Sequence, residues 1–143
     1  MKYKPYLLKD VYAGEAQNKF RVISTFAGGG GSSTGYRLAG GKILAINEFV
    51  EEARNTYKDN YPNTPILDGD IKELQGKDFL DITKLKEGEL ELLDGSPPCS
   101  AFSMCGTLAR EGTVHSDGYG KTKSYSDGKI VTNIEDLFFE FLR

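Results

Sequence analysis

The sequence has little cysteine, no long apolar run and no secretory signal. Its two cysteines, Cys99 and Cys105, match no zinc-ligand spacing and make a poor disulfide framework, which predicts a reducing, cytoplasmic location without a bound metal. No apolar run approaches the roughly 18 residues that span a membrane. The N-terminus also lacks the apolar core of a signal peptide. We therefore expect no membrane partner.

Positive charge is not in excess either. The 143 residues contain 18 Lys and Arg against 21 Asp and Glu, for a net charge of −3. Proteins that bind nucleic acid present a basic face to the phosphates. The charge balance therefore argues against nucleic acid as a partner, unless the basic surface is local or lies on polypeptide outside these residues.

Short apolar segments alternate with helical or irregular ones along most of the chain. The predicted strands are 20–26, 42–46, 64–67 and 89–93, and the predicted helical segments are 35–39, 49–60, 72–88 and 133–143. This alternation predicts an α/β fold with a parallel sheet of about four strands and flanking helices. Residues 1–19 form a polar N-terminal arm, for which a short strand and a short helix both remain open.

A run of four glycines, residues 28–31, follows the first predicted strand. Glycine leaves space where the backbone turns tightly and a ligand must approach it, here at the start of a helix. The hydroxyls of residues 32–34 are expected to cap that helix. The dinucleotide fingerprint needs glycine at i, i+2 and i+5, and Ser33 or Thr34 occupies the last position, so the fingerprint is absent.

An acid closes each of the next two strands. Glu48 lies 20 positions after Gly28, where an acid accepts hydrogen bonds from ribose hydroxyls. Asp70 suits an adenine amino group, and Phe49 and Ile71 suit the two faces of the ring. Without a phosphate clamp, S-adenosylmethionine fits better than a nicotinamide dinucleotide. Each feature alone is often only a loop or a solvated acid, but their order on successive strands favours the joint interpretation.

The fourth predicted strand ends in Asp-Gly-Ser-Pro-Pro-Cys-Ser, residues 94–100. Pro97 and Pro98 make a rigid, extended turn before Cys99. That turn stands at the carboxyl end of a strand, where open α/β sheets place their reacting groups. The alternative for Cys99 is a buried structural thiol. Residues 106–130 are polar and form a loop long enough to be functional or mobile.

These motifs occur in the order and spacing of the DNA (cytosine-5) methyltransferase family, which the chain resembles over residues 20–143. The matching segments are 26–31, 47–48, 69–71, 97–103 and 136–139. The resemblance covers the first half of that family's catalytic domain. It implies a Rossmann-like S-adenosylmethionine-dependent methyltransferase fold, here incomplete, preceded by the arm 1–19.

The resemblance also implies a reaction and a set of site residues. In that family a cysteine thiolate adds to carbon 6 of a cytosine flipped out of double-stranded DNA, and carbon 5 then takes the methyl group of S-adenosylmethionine. It thus implies Cys99 as the nucleophile, Ser100 and Ser103 near DNA, and a role in restriction-modification. The implied cofactor contacts are Phe26, Ala27, Gly28, Gly30, Glu48, Phe49, Asp70, Ile71, Pro98 and Leu137.

Some motifs of that family are missing from these 143 residues. They contain no Glu-Asn-Val motif, whose glutamate activates the cytosine ring, and no target-recognition region. We therefore expect little methylation by this chain alone and an unpaired sheet edge at 89–93. A truncated chain, a disrupted gene and a split enzyme with a second chain all remain open. So do a tRNA cytosine-5 methyltransferase and an inactive S-adenosylmethionine-binding remnant; a dehydrogenase is disfavoured by the glycine spacing.

Overall fold

The structure, a computed structural model, describes residues 5–98, 123–124, 128, 130–131 and 136–143. The chain divides into two units, residues 1–95 and 96–143. Cys99, Ser100 and Ser103 lie outside the described residues, and so does most of the polar loop.

The first unit is a parallel sheet with helices. Its helices are α1 Leu8–Glu15, α2 Gly31–Leu38, α3 Glu51–Asn60 and α4 Gly76–Thr83, and its strands are β1 Phe20–Thr25, β2 Gly41–Glu48, β3 Ile66–Asp68 and β4 Leu92–Gly95. All pairings are parallel, in the order β3-β2-β1-β4. The predicted α/β class with four parallel strands is confirmed.

The core lies around the two central strands. Val22 and Ile23 of β1 and Ile46 of β2 are almost fully buried, because helices cover a parallel sheet and its inner strands are apolar on both sides. The main core cluster is Val11, Val22, Ile43, Ile46, Tyr57 and Tyr61. Among the described residues β4 pairs only with β1, so it forms one edge of the sheet there.

The N-terminal arm contains a helix that packs onto the first unit. Val11 and Gly14 of α1 are buried. A Cβ atom added at Gly14 would lie 2.2 Å from the carbonyl oxygen of Arg37, so glycine lets α1 approach α2 closely. The structure therefore answers the open question about residues 1–19 in favour of a helix.

The predicted start of α2 is wrong. The helix begins at Gly31 rather than at residue 35, so residues 32–34 lie within its first turn and do not cap it. The capping position belongs to Gly30, whose φ of 95° is in the left-handed region. The physical reason is that glycine adopts this φ without strain, so the chain turns into the helix as soon as the glycine run permits. The fourth strand is also shifted, from 89–93 to residues 92–95.

The second unit is described only in part. Strands β5 Lys123–Ser124 and β6 Ile130–Val131 pair antiparallel. Helix α5 spans Asp136–Leu142, within the predicted 133–143. In the described part of the chain, no helix has the length and apolar character to cross a membrane.

Candidate active site

The carboxyl ends of the strands meet along one edge of the sheet. Thr25, the last residue of β1, pairs with Asn47 of β2 and with Gly95 of β4. Glu48 pairs with Asp68 at the end of β3. The glycine loop, Glu48 and the end of β4 therefore share one edge, which is where open α/β sheets bind their ligands.

The loop after β1 bends sharply several times. Phe26, Gly28 and Gly30 have φ values of 51°, 55° and 95°. A positive φ at a residue as large as Phe26 costs on the order of 1–3 kcal/mol and persists only where the surrounding structure enforces it. One such constraint is the bond from the Ala27 N–H to the Asn47 carbonyl oxygen, at 3.1 Å. The loop is thus fixed to the end of β2.

Space is open on one side of this loop. No described atom lies within 4 Å of the position that a Cβ atom of Gly28 would take. An uncovered backbone next to a helix start lets a ligand come close to peptide groups. This supports the predicted use of Gly28 for close ligand approach.

Glu48 connects the loop to β2. One of its carboxylate oxygens, Oε2, accepts a bond of 2.7 Å from the Gly28 N–H, and the other, Oε1, accepts one of 2.8 Å from the Val50 N–H. The residue is only 7% exposed, so these charge-assisted bonds form in a partly desolvated place. A carboxylate has about four acceptor positions, so Glu48 retains capacity for ligand hydroxyls.

Asn47 extends the connection to the third strand. Its side-chain amide donates to the carbonyl oxygens of Leu67, at 2.9 Å, and Gly69, at 3.2 Å. The turn that carries Asp70 is thereby tied to the end of β2. Asp70 itself accepts a bond of 3.0 Å from the Lys72 N–H, and Ile71 is buried. The two predicted acids thus lie on strand ends that Asn47 links.

Asp94 is a polar residue of this edge that the sequence did not single out as a site. Its carboxylate accepts bonds from the Ser24 hydroxyl, at 2.8 Å, and the Tyr36 hydroxyl, at 3.0 Å. Burial, and secondly the bond to Asp94, raise the pKa of Tyr36 above its usual value. The one available sequence signal was an acid directly after two leucines of a strand. Asp94 joins β4, β1 and α2.

A cavity of about 320 Å³ borders the glycine loop beside the N-terminal arm. Its lining residues are Tyr6, Leu8, Val11, Gly29, Gly30, Gly31, Thr34, Asn60 and Tyr61. The arm therefore contributes to the surroundings of the loop, a role that its sequence did not reveal.

Phe49, directly after Glu48 in the first unit, is half-buried, and its carbonyl oxygen accepts a bond of 2.6 Å from the Arg54 guanidinium. The other predicted site residues belong to the second unit. Pro98 is half-buried, and Leu137 is 4% exposed. The roles of Cys99, Ser100 and Ser103, outside the described ranges, stay predictions. Within those ranges, no group of three or more His, Cys, Asp or Glu side chains is arranged to hold a metal ion.

Comparison with known proteins gives a family match and several relatives. A family profile described as C-5 cytosine-specific DNA methylase matches residues 20–137. The Type II methyltransferase M.NgoPII of Neisseria gonorrhoeae is 35% identical over 64% of this chain and 25% of its own length. M.AquIA of a Picosynechococcus species is 35% identical over 60% and 35%. M.Eco47II of Escherichia coli is 31% identical over 96% and 28%. The chain therefore spans about a third or less of these relatives.

Proposed function

The chain belongs to the C-5 cytosine-specific DNA methylase family, and from this premise we propose that it takes part in transferring a methyl group from S-adenosylmethionine to carbon 5 of cytosine in DNA. The observation that carries the proposal is the Glu48–Gly28 bond within the matched range. This bond joins the glycine loop to the acid at the end of β2, which are two of the motifs behind the cofactor prediction. DNA is favoured over tRNA because the matching family profile is described as a DNA methylase.

The residues of the loop edge fit an adenosine-containing cofactor. Gly28 leaves the loop backbone accessible, and Glu48 retains acceptor positions for ribose hydroxyls. We assign the adenine amino group to Asp70. When bound, S-adenosylmethionine supplies an electrophilic methyl group.

We assign the nucleophile to Cys99. Its thiolate adds to carbon 6 of a flipped cytosine, and the electron pair of the 5,6 double bond moves to carbon 5, which becomes nucleophilic. The methyl group is transferred to carbon 5 with S-adenosylhomocysteine as the leaving group. A base or a water molecule then takes the proton from carbon 5, and the carbon–sulfur bond breaks, which restores the 5,6 double bond and releases the thiolate. A thiolate suits both steps because it is a good nucleophile and a good leaving group.

The attack requires either a lowered pKa of the thiol or an activated cytosine ring, because a free cysteine with a pKa of about 8.5 is only a few per cent thiolate at neutral pH. These 143 residues contain no Glu-Asn-Val motif. We therefore propose that the activating carboxylate comes from polypeptide outside them, in the same protein or in a second chain. A bacterial or phage cytoplasm is the proposed location, supported by the bacterial relatives and by a sequence whose two cysteines make a poor disulfide framework.

Isothermal titration calorimetry with S-adenosylmethionine tests the cofactor. We expect binding by the wild-type chain and at least tenfold weaker binding by Glu48→Ala, because the loop loses its carboxylate partner. Glu91→Ala is the control, since Glu91 bonds Arg21 at the opposite ends of the strands. Absence of binding, together with binding of NAD, would overturn the cofactor assignment.

Intact-mass analysis tests the nucleophile. The chain is incubated with S-adenosylmethionine and DNA that carries 5-fluorocytosine, with and without a polypeptide that supplies the Glu-Asn-Val segment. Fluorine on carbon 5 replaces the proton that must leave, so the adduct is trapped. We expect an adduct with wild type and Cys105→Ala but not with Cys99→Ala. An adduct only with 5-fluorocytidine in RNA would favour the tRNA alternative, and no adduct despite cofactor binding would favour an inactive remnant.

A further inference from the structure

Arg37, in the last turn of α2, is a charged side chain that is only 1% exposed, and the proposed reaction does not use it. Its guanidinium donates to the Tyr57 hydroxyl, at 3.3 Å, and to the Thr64 hydroxyl, at 2.7 Å. Its Nε lies 3.1 Å from a carboxylate oxygen of Glu15, close enough for an ion pair although the N–H is not aligned for a hydrogen bond. A buried charge is costly unless it is paired in this way.

The guanidinium also lies over two tyrosine rings. Its central carbon is 3.7 Å from the centroid of the Tyr61 ring and 5.9 Å from that of Tyr57. The two rings contact each other, with centroids 5.3 Å apart. Cation–π attraction of this kind is strongest where the groups are desolvated, as they are here. Arg37 therefore fixes the rings of Tyr57 and Tyr61. We call these two side chains the tyrosine platform.

The tyrosine platform supports the glycine loop. A Cβ atom at Gly30 would lie 2.9 Å from a carbon of the Tyr61 ring and 3.1 Å from two carbons of the Tyr57 ring. The Tyr61 hydroxyl is hydrogen-bonded to the Thr34 hydroxyl, which donates to the Gly30 carbonyl oxygen at 2.8 Å. A continuous series of contacts thus runs from Arg37 through Tyr61 and Thr34 to the loop backbone.

We propose that Arg37 and Tyr61 are positioning residues, which act through Thr34 and Gly30 to hold the glycine loop in the conformation that binds the cofactor. A buried ion pair is weak evidence for a role in stability, because well-packed apolar side chains often replace one without loss. The contacts from Arg37 to the glycine loop instead indicate a role in holding the loop conformation. The inference rests on the proposed function, since the ligand of the loop is S-adenosylmethionine only if that proposal holds.

Two matched tyrosine variants test the inference in the full chain. Tyr61→Phe keeps the ring but removes the bond to Thr34. Tyr12→Phe also deletes one hydroxyl of a tyrosine next to the platform, but that hydroxyl donates to the Asn60 carbonyl oxygen, at 3.1 Å, and not to the loop. Calorimetry is done well below the melting temperature of both variants. We expect Tyr61→Phe to weaken S-adenosylmethionine binding about threefold to tenfold, and Tyr12→Phe less than twofold.

A spectroscopic measurement separates positioning from simple stabilisation. We expect Tyr61→Phe and Arg37→Met to shift the backbone amide NMR signals of Gly28 and Gly30 in the ligand-free chain, and Arg37→Lys to shift them less. Equal affinity losses in Tyr61→Phe and Tyr12→Phe, or unchanged loop signals, would overturn the inference. If the wild type does not bind S-adenosylmethionine, the cofactor proposal fails. In that case the amide NMR signals of Gly28 and Gly30 by themselves test whether Arg37 and Tyr61 position the loop.

Discussion

Polar side chains at the two ends of the sheet differ in burial and in their main partners. At the carboxyl ends, Glu48 and Asn47 are buried and bond mainly to backbone groups outside the strands, at Gly28, Val50 and Gly69. At the amino ends, Arg21 and Glu91 pair with each other at 2.6 Å while both remain partly exposed. Bonds to a loop backbone fix its shape, whereas an exposed ion pair is screened by water and salt. Buried bonds therefore fix loop shape at the carboxyl ends, which is also where the proposed cofactor site lies.

The largest expected effect comes from Gly30→Ala. The new methyl group meets both rings of the tyrosine platform and requires alanine at a φ of 95°. Strain and overpacking together predict a loss of about 2–5 kcal/mol in the free energy of unfolding. Urea denaturation measures it, and calorimetry should detect no cofactor binding.

Gly31→Ala is the control for that variant. Gly31 has no described atom within 4 Å of its Cβ position and starts α2, so alanine is expected to be neutral or to stabilise by about 0.5–1 kcal/mol. Equal losses in the two variants would contradict the described packing of the loop.

Glu48→Gln should have the next largest effect. Both carboxylate oxygens accept backbone N–H bonds, but a glutamine amide offers only one acceptor oxygen, so its NH₂ group would face an N–H donor. We expect a loss of about 1–3 kcal/mol in denaturant unfolding. Glu51→Gln, on the exposed first turn of α3, should change stability by less than about 0.5 kcal/mol. Similar losses of unfolding free energy in the two variants would contradict a structural role for the bonds from Glu48 to the loop backbone.

Asp94→Asn should destabilise the fold less than Glu48→Gln and should also change the pKa of Tyr36. Asparagine still accepts one hydroxyl bond, so the expected loss of stability is about 1 kcal/mol. The negative charge next to Tyr36 disappears, and one of the causes that raise the pKa of Tyr36 disappears with it. The pKa of Tyr36 should therefore fall toward its usual value without reaching it, because burial remains the larger cause. NMR titration of the Tyr36 ring measures this, and an unchanged pKa would contradict the bond to Asp94.

The sequence predicted the sheet and the order of the glycine loop and Glu48 on successive strand ends, because both depend on local patterns. Apolar runs mark the strands, and parallel strands bring their last residues, such as Glu48, to one edge. Arg37 was not predictable in this way. Charged residues are almost never fully buried, and its partners Glu15, Tyr57 and Thr64 are 20 or more positions away. The start of α2 was missed because hydroxyl residues usually cap helices, while here Gly30 does so.

The smallest expected effect comes from Arg21→Gln at the amino ends of the strands. Bonds from the Arg21 side chain and N–H lower the pKa of Glu91 to about 2, from an ordinary value of 4.5. Because the folded-state pKa is the lower one, the pair stabilises the fold fully above pH 4.5, and this contribution is lost as the pH falls through about 2. The variant should raise the pKa of Glu91 in NMR titration. Its denaturation midpoint should lie slightly below wild type at pH 7 and converge with it as the pH falls through about 2. A midpoint difference that does not shrink over this pH range, or that does not change with added salt, would show that Arg21 acts by packing and not by charge.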